Sequence, residues 1–248
     1  WEIQIQCGLV SPRATGTSIT IATRLLSKHR SCNRRETFSN DYLTDYFTDE
    51  GLRWVEKQHP DETPWFLFMS YNAPHGPLQA TEADLAEFNH LKDPKRRIYA
   101  AMMLSLDRSV GRLTTWLRDH DELKNTLIVF TGDNGSSFNP SSEIGKLFKQ
   151  DANGLRGYKR GMYEGALRQA GFAWWPGTIP AGRVDESPWA LWDLMPTFVE
   201  MSGATPPEGY QTDGHSLLSY FKGGEAPKRD YFYWELHKGA VVQAARWG

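Results

Sequence analysis

Residues 125–137 read "NTLIVFTGDNGSS", and the fold turns on how this stretch is read. Residues 125–130 contain a short, unbroken apolar run, which suits a strand buried on both faces. The run then surfaces into Thr-Gly-Asp-Asn-Gly, where Asn-Gly is one of the commonest turn dipeptides. A carboxylate and an amide, Asp133 and Asn134, therefore stand where a buried strand emerges. In open α/β sheets, the region beyond the carboxyl ends of the strands is where ligands bind.

Working outward, "PWFLFMSY" (64–71) is a second short apolar and aromatic run, bounded by Pro and Asn, and reads as a buried strand. "GFAWWP" (171–176) reads as another. Helical periods lie between and around these runs. Residues 39–58 carry Leu43, Phe47, Trp54 and Val55 as an apolar stripe. Residues 97–117 place Tyr99, Met102, Met103, Leu106, Val110, Leu113 and Leu117 on one face. Residues 188–203 look helical, with Pro196 expected to kink or break them. "DYFYWE" and "AVVQAARW" read as strands of a small separate sheet. Strands alternating with long helices define an α/β layer fold with a central mainly parallel or mixed sheet. The expected organisation is an N-terminal segment 1–38, an α/β domain 39–204, and a C-terminal antiparallel subdomain that starts at 205–248.

The composition of 40% apolar and 23% charged residues describes a globular chain. A net charge of -2 gives no bulk reason to expect nucleic acid or an anionic membrane as partner. No apolar run reaches the roughly 18 residues that a membrane-spanning helix needs. Residues 1–36 differ from the rest: they hold six Lys/Arg, two acids, and both cysteines, Cys7 and Cys32, which two spacings alone cannot assign as a bridge or as free thiols. No clean period runs through them apart from "TSITIATRLL".

Three stretches can carry chemistry. Asp133 and Asn134 offer hard oxygen donors of the kind calcium takes several at a time. His75, in "APHGP", sits between two prolines that stiffen its loop, and a neutral imidazole there can donate to a leaving oxygen or bind an anionic group. "GLRGYKRGMYEGALR" (154–168) interleaves four glycines with Arg156, Lys159, Arg160 and Arg168. Glycine permits close backbone approach, and the cations suit sulfate or phosphate oxygens. It is not a nucleotide-binding P-loop, because G-x-x-x-x-G-K-[ST] is absent.

Taken in order, "YLTDYFTDEGLRWV", "FLFMSYNAPHGPLQ", "YAAMMLSLDRSVGRL", "IVFTGDNG", "LRGYKRGMYEGALR", "WWPGTI" and "DLMPTFVEMSG" resemble the formylglycine-dependent sulfatases of the alkaline-phosphatase-like superfamily. The resemblance covers roughly residues 39–248. It implies an alkaline-phosphatase-like sandwich and hydrolysis of a sulfuric ester, arylsulfatase-like or on a sulfated carbohydrate. It also implies Ca2+ and a formylglycine nucleophile. By match to the motifs, Asp133 and Asn134 would ligate the metal. His75 would contact the sulfate or leaving-group oxygen, and Lys159 would bridge the sulfate ester oxygens. The family also implies a periplasmic or secreted setting.

The chain departs from the family pattern in three places. The early strand ending in paired aspartates and the formylglycine motif C/S-x-P-x-R are not found; in "CGLVSPRATG", Cys7 is too far from Pro12 and Ser11 abuts it. After Arg168 the family's Val-Pro is replaced by Gln169-Ala170. The expectation is the middle and later part of a longer sulfatase, inactive alone. Two alternatives stand beside it: a phosphoric ester hydrolase of the same superfamily and a non-catalytic sulfated-glycan-binding fragment. The former needs a His-rich di-metal site, and the seven histidines are thinly spread along the sequence.

Overall fold

A computed structural model describes residues 4–11, 20–22, 41–59, 64–137, 141, 145 and 154–247. Its central sheet has five strands in the order β2-β3-β1-β4-β5, with β1 at Gln4–Ser11, β2 at Thr20–Ala22, β3 at Trp65–Pro74, β4 at Leu127–Gly132 and β5 at Gly171–Trp174. The sheet is mixed. β2 runs parallel to β3, whereas β1 is antiparallel to both β3 and β4, and β5 is antiparallel to β4. The two runs that anchored the sequence reading therefore point the same way, one strand apart.

The strand between them corrects the reading of residues 1–36, where no clean strand was expected over 4–11. β1 pairs along its whole length with β3 and from Ile5 to Val10 with β4. Its period-two signal (Ile5, Cys7, Leu9) is short and includes Gly8, a poor strand former, so the pairing partners, rather than the local pattern, define it. β2 falls inside the "TSITIATRLL" stretch, the one place in the segment where a period was read. Of the N-terminal segment 1–38 nothing further is described, and Cys32 lies outside the described residues.

β4 is buried on both faces, as an unbroken apolar run should be. Ile128 joins a core with Trp65, Leu67, Met69 and Tyr71 of β3, packed under two helices, α1 (Leu43–Gln58) and α3 (Pro94–Asp119). Leu127 and Val129 face the other way, into a second core with Trp175, Leu217, Leu218, Tyr220 and Phe221. Each such fully buried large side chain contributes about 1.5–3 kcal/mol of transfer free energy.

The buried stripe of α1 overlaps the predicted one, with Val55 in the core and Phe47 and Trp54 packed against it, but differs at its start. Thr44, Thr48, Gly51 and Val55 face inward, while Leu43 is 49% exposed. Closeness of approach explains this. A Cβ on Gly51 would stand 2.8 Å from Met69 Sδ, so the helix lies directly on β3 and only small residues fit beneath it. Thr48 Oγ1 meets the buried Tyr71 hydroxyl at 3.0 Å. α3 buries Met102, Leu106, Leu113 and Leu117 as expected, but Met103 is 38% exposed. A short helix α2 (Glu82–Glu87) is capped by Thr81, and its buried Asp84 takes a two-pronged ion pair from Arg108 of α3, at 2.6 and 3.1 Å.

On the second face, α4 (Glu164–Leu167) precedes β5, and α5 (Leu194–Ser202) and α6 (Leu218–Phe221) cover the sheet. Pro196 does not kink α5. It occupies the first turn, where its missing N–H has no intrahelical partner to lose. Gly203 closes the helix in the left-handed conformation, φ 66°. Asp193, fully buried, accepts from the Ala190 and His215 amides and from Arg229, which is itself 10% exposed. This one carboxylate ties three segments together. β6 (Phe232–Lys238) and β7 (Ala240–Arg246) form a separate antiparallel ribbon, as the sequence suggested.

Candidate functional site

Strand register fixes where the candidate residues stand. Ile5 of β1 pairs with Tyr71 on one side and with Gly132 on the other, and Gln4 pairs with Pro74. The carboxyl ends of β3 and β4 are therefore level, on the same edge of the sheet. His75 follows β3 directly and Asp133 follows β4 directly. Two ladder spacings of about 4.8 Å put their backbones about 10 Å apart. The same register places Cys7 in mid-sheet, opposite Met69 and Phe130, and Ser11 at the far end, opposite Trp65.

Lys159 is brought to this edge by backbone hydrogen bonds. Its amide donates to Ser136 O at 2.7 Å, Gly135 N donates to Ala166 O at 2.8 Å, and Gly132 N donates to Ala170 O at 3.3 Å. The glycines make this seam possible. A Cβ on Gly135 would sit 2.3 Å from Gly165 O, and a Cβ on Gly165 would sit 2.3 Å from Gly157 O. Three chain segments thus touch backbone to backbone, as the glycine-rich stretch implied. Beside Lys159, Arg160 holds a left-handed φ of 77°, a conformation that costs a non-glycine residue about 1–3 kcal/mol and recurs at ligand sites. Arg156 stacks over the Tyr163 ring at 3.8 Å.

The side chains at the rim have defined chemistry. His75 Nδ1 hydrogen-bonds the Gly76 carbonyl, and both neighbouring Xaa-Pro bonds are cis. A carbonyl only accepts, so Nδ1 carries the proton. Nε2 of the neutral ring is then an acceptor, and it donates to an anion only in the imidazolium form. This refines the expectation that a neutral ring would donate. Asn134 Nδ2 donates to Gly135 O at 2.9 Å, which leaves the amide oxygen as the acceptor end. Asp133 Oδ1 is buried. An anionic and a neutral oxygen donor fit calcium in kind, but calcium takes about 6–8 oxygens, so these two supply a minority. Among the described residues no three His, Cys, Asp or Glu side chains converge into a metal cluster.

Two further residues at this edge escaped the sequence reading. Asn72 Oδ1 and Gln169 Oε1 are buried with no hydrogen-bond partner among the described residues. Gln169 lies over Gly132, its Cβ 3.4 Å from where a Cβ on that glycine would be. A polar residue near the end of an apolar strand is the only sequence signal for Asn72; Gln169 had none beyond its departure from the family pattern. A pocket of ≈ 220 Å³ opens beside the rim, lined by Thr131, Arg168, Gln169, Asp185, Trp189 and Trp234 among others. A larger, shallower hollow of ≈ 580 Å³ between α1 and α3 holds none of the candidate residues. Two histidines far apart in sequence meet: the His59 and His120 rings lie 5.2 Å apart. They close α1 and α3 at the opposite edge of the sheet, with Glu122 bonded to His59.

With this geometry in place, comparison with known proteins is direct. The family model for sulfatases matches residues 14–204. The N-acetylgalactosamine-6-sulfatase of Canis lupus familiaris is 32% identical over 208 residues, which cover 83% of this chain and 37% of that protein. Arylsulfatase D of Homo sapiens is 30% identical over 198 residues, 80% of this chain and 32% of that protein. Among solved structures, Ps i-CgsB in complex with k-i-k-neocarrahexaose superposes with a TM-score of 0.77 at 34% identity, covering 87% of this chain and 46% of that one. Fold and matches agree on the class, an α/β domain of the sulfatase type. The chain belongs to the sulfatase family, and it spans less than two fifths of the length of the curated relatives it matches.

Proposed function

We propose that this chain forms the sulfate-ester-binding part of a sulfatase that acts on sulfated carbohydrate, with its site at the rim shared by β3 and β4. The observation that carries the reading is the seam itself: Lys159 N on Ser136 O locks a cation-bearing loop against the Asp133–Asn134 turn, at the sheet edge that also carries His75. Lys159 holds ester oxygens of the sulfate, and the His75 imidazolium binds the leaving oxygen or a sulfate oxygen. Asp133 and Asn134 supply two oxygen ligands to a calcium ion, whose chemistry when bound is to neutralise charge on the sulfate. The family association with formylglycine supports a covalent nucleophile that other residues would provide. The carbohydrate reading draws on two relatives, one named for N-acetylgalactosamine 6-sulfate and one solved with a neocarrahexaose. A periplasmic or secreted setting goes with the same reading. No helix among the described residues is long and apolar enough to cross a membrane.

Titration of the chain with 4-nitrophenyl sulfate in the presence of calcium tests this. Removing one charge-assisted contact of about 1.5 kcal/mol weakens binding by about tenfold, so Lys159→Ala and His75→Ala should each do so. Unchanged affinity in both variants rejects the site.

A further inference from the structure

The pocket beside the rim has a composition that the sulfate-binding residues do not explain. It starts at Thr131, two residues before Asp133, and continues over Gln169, which packs on Gly132. It thus comes within two residues of Asp133 and contains none of the four residues of the proposed ester site. Trp189 forms one wall. A Cβ on Gly171 would stand 3.2 Å from Trp189 Cζ2, so glycine at 171 lets the indole lie against the sheet. Trp234 of the C-terminal ribbon forms another wall, and both indoles are half-buried.

The polar groups are of three kinds. Gln169 Oε1 is buried and lacks a partner among the described residues, a state that native proteins rarely leave unfilled. The Asp185 carboxylate is held in place by the Ser187 amide at 2.8 Å and by Arg183 at 2.6 and 3.1 Å. Hydrogen bonds from Tyr220, Ser187 and Arg183 keep its carboxyl well below the usual carboxylate range, so it is an acceptor at any working pH. Arg168 is exposed and makes no ion pair among the described residues.

Aromatic walls with an amide and an ionised carboxylate suit a ligand that is apolar on its face and hydroxylated at its edge. The electron-rich ring faces attract polarised C–H groups, and the acceptors take hydroxyl protons. A pyranose has this distribution of groups. The volume of ≈ 220 Å³ lies below the roughly 300–1,000 Å³ of drug-sized sites and suits a single ring. We propose that this pocket is a sugar-binding subsite that receives the ring next to the one bearing the sulfate ester, held between Trp189 and Trp234 with Asp185 as hydroxyl acceptor and the Gln169 amide as a further hydrogen-bonding group. The proposal rests on the sulfated-carbohydrate reading above.

Fluorine NMR on the chain labelled with 5-fluorotryptophan tests it. The Trp189 and Trp234 resonances are assigned with Trp189→Phe and Trp234→Phe. The probes are a sulfated galactan hexasaccharide, its chemically desulfated counterpart, and 4-nitrophenyl sulfate. Both hexasaccharides should move the two resonances and 4-nitrophenyl sulfate should not. Gln169→Leu, close in volume, should weaken hexasaccharide binding about tenfold. If 4-nitrophenyl sulfate binds but the hexasaccharides leave both resonances in place, or if Gln169→Leu binds them as well as the parent does, the subsite is overturned and the ester site stands. If the desulfated hexasaccharide moves both resonances while no sulfate ester binds at the rim, the subsite stands and the ester reading falls.

Discussion

Replacing Gly135 with alanine should open the seam that joins the Asp133–Asn134 turn to the Lys159 loop. The new Cβ would lie 2.3 Å from Gly165 O and 2.7 Å from the Ala166 carbonyl carbon. Both neighbours are backbone, so no side chain can swing away. A carbon and a carbonyl oxygen come to rest at about 3.3–3.6 Å, so the segments must part by about 1 Å. That separation breaks or stretches Gly135 N to Ala166 O and Lys159 N to Ser136 O. Two net hydrogen bonds at about 1 kcal/mol each, added to the lower end of overpacking costs, come to about 3 kcal/mol. At about 2–4 °C per kcal/mol for a chain of this size, Tm should fall by about 6–12 °C. Hydrogen exchange at the Gly135 and Lys159 amides should accelerate together, because the two bonds lie in one seam. Sulfate-ester affinity should fall as well. Gly111→Ala is the control. It lies within α3 with nothing within 4 Å of its added Cβ, and it should stabilise by up to about 1 kcal/mol. A Gly135→Ala protein with parental Tm, and parental exchange at both amides, would refute the backbone contact on which the site assignment depends.

Three further outcomes follow from the packing and charge described above. Asp84→Asn should cost about 1–2 kcal/mol at neutral pH, since Arg108 is 43% exposed and water takes up part of its lost pairing. Arg108, then the Thr81 hydroxyl, hold the Asp84 carboxyl below its ordinary value, so its stabilisation is fully present above the unfolded value of about 3.9 and is lost as pH falls through the lower, folded value; urea unfolding at pH 6 and pH 3 should show a smaller gap between the parent and Asp84→Asn at the lower pH, and a gap that widens on acidification contradicts the pairing. Asp193→Ala should cost about 3–5 kcal/mol in the same assay, because it strands the nearly buried Arg229 guanidinium, and a loss under 1 kcal/mol would show that charge to be satisfied elsewhere. His75→Gln should bind 4-nitrophenyl sulfate about tenfold more weakly than the parent, and parental affinity would rule out a contact by the ring.

The parts of the fold legible in the sequence are those where one strand or helix reports its own environment. The unbroken apolar runs of β3 and β4 announce buried strands, and β4 is buried on both faces. What escaped were features set by partners. β1 shows only a short alternation, and its central position comes from hydrogen bonding to β3 and β4. The inward face of α1 is decided at Gly51 by contact with Met69, so the apolar Leu43 is left outside. Pro196 was read as a kink or break because sequence alone did not mark the start of α5 two residues upstream. At the rim, Asp133, Asn134, His75 and Lys159 were legible as residue types. The backbone seam between Gly135 and Gly165 was foreshadowed only as glycine content. Gln169 and Asn72 became visible only once their buried oxygens could be located.

The most direct test of a sulfate-ester site at the β3–β4 rim is a two-dimensional amide NMR titration of the chain with 4-nitrophenyl sulfate, with and without calcium. The account predicts perturbations concentrated at His75 and Gly76, at Asp133 to Ser136 and at Gly157 to Arg160, enlarged by calcium at Asp133 and Asn134. Perturbations centred on the His59–His120 edge of the sheet, or none at saturating ester, would contradict it.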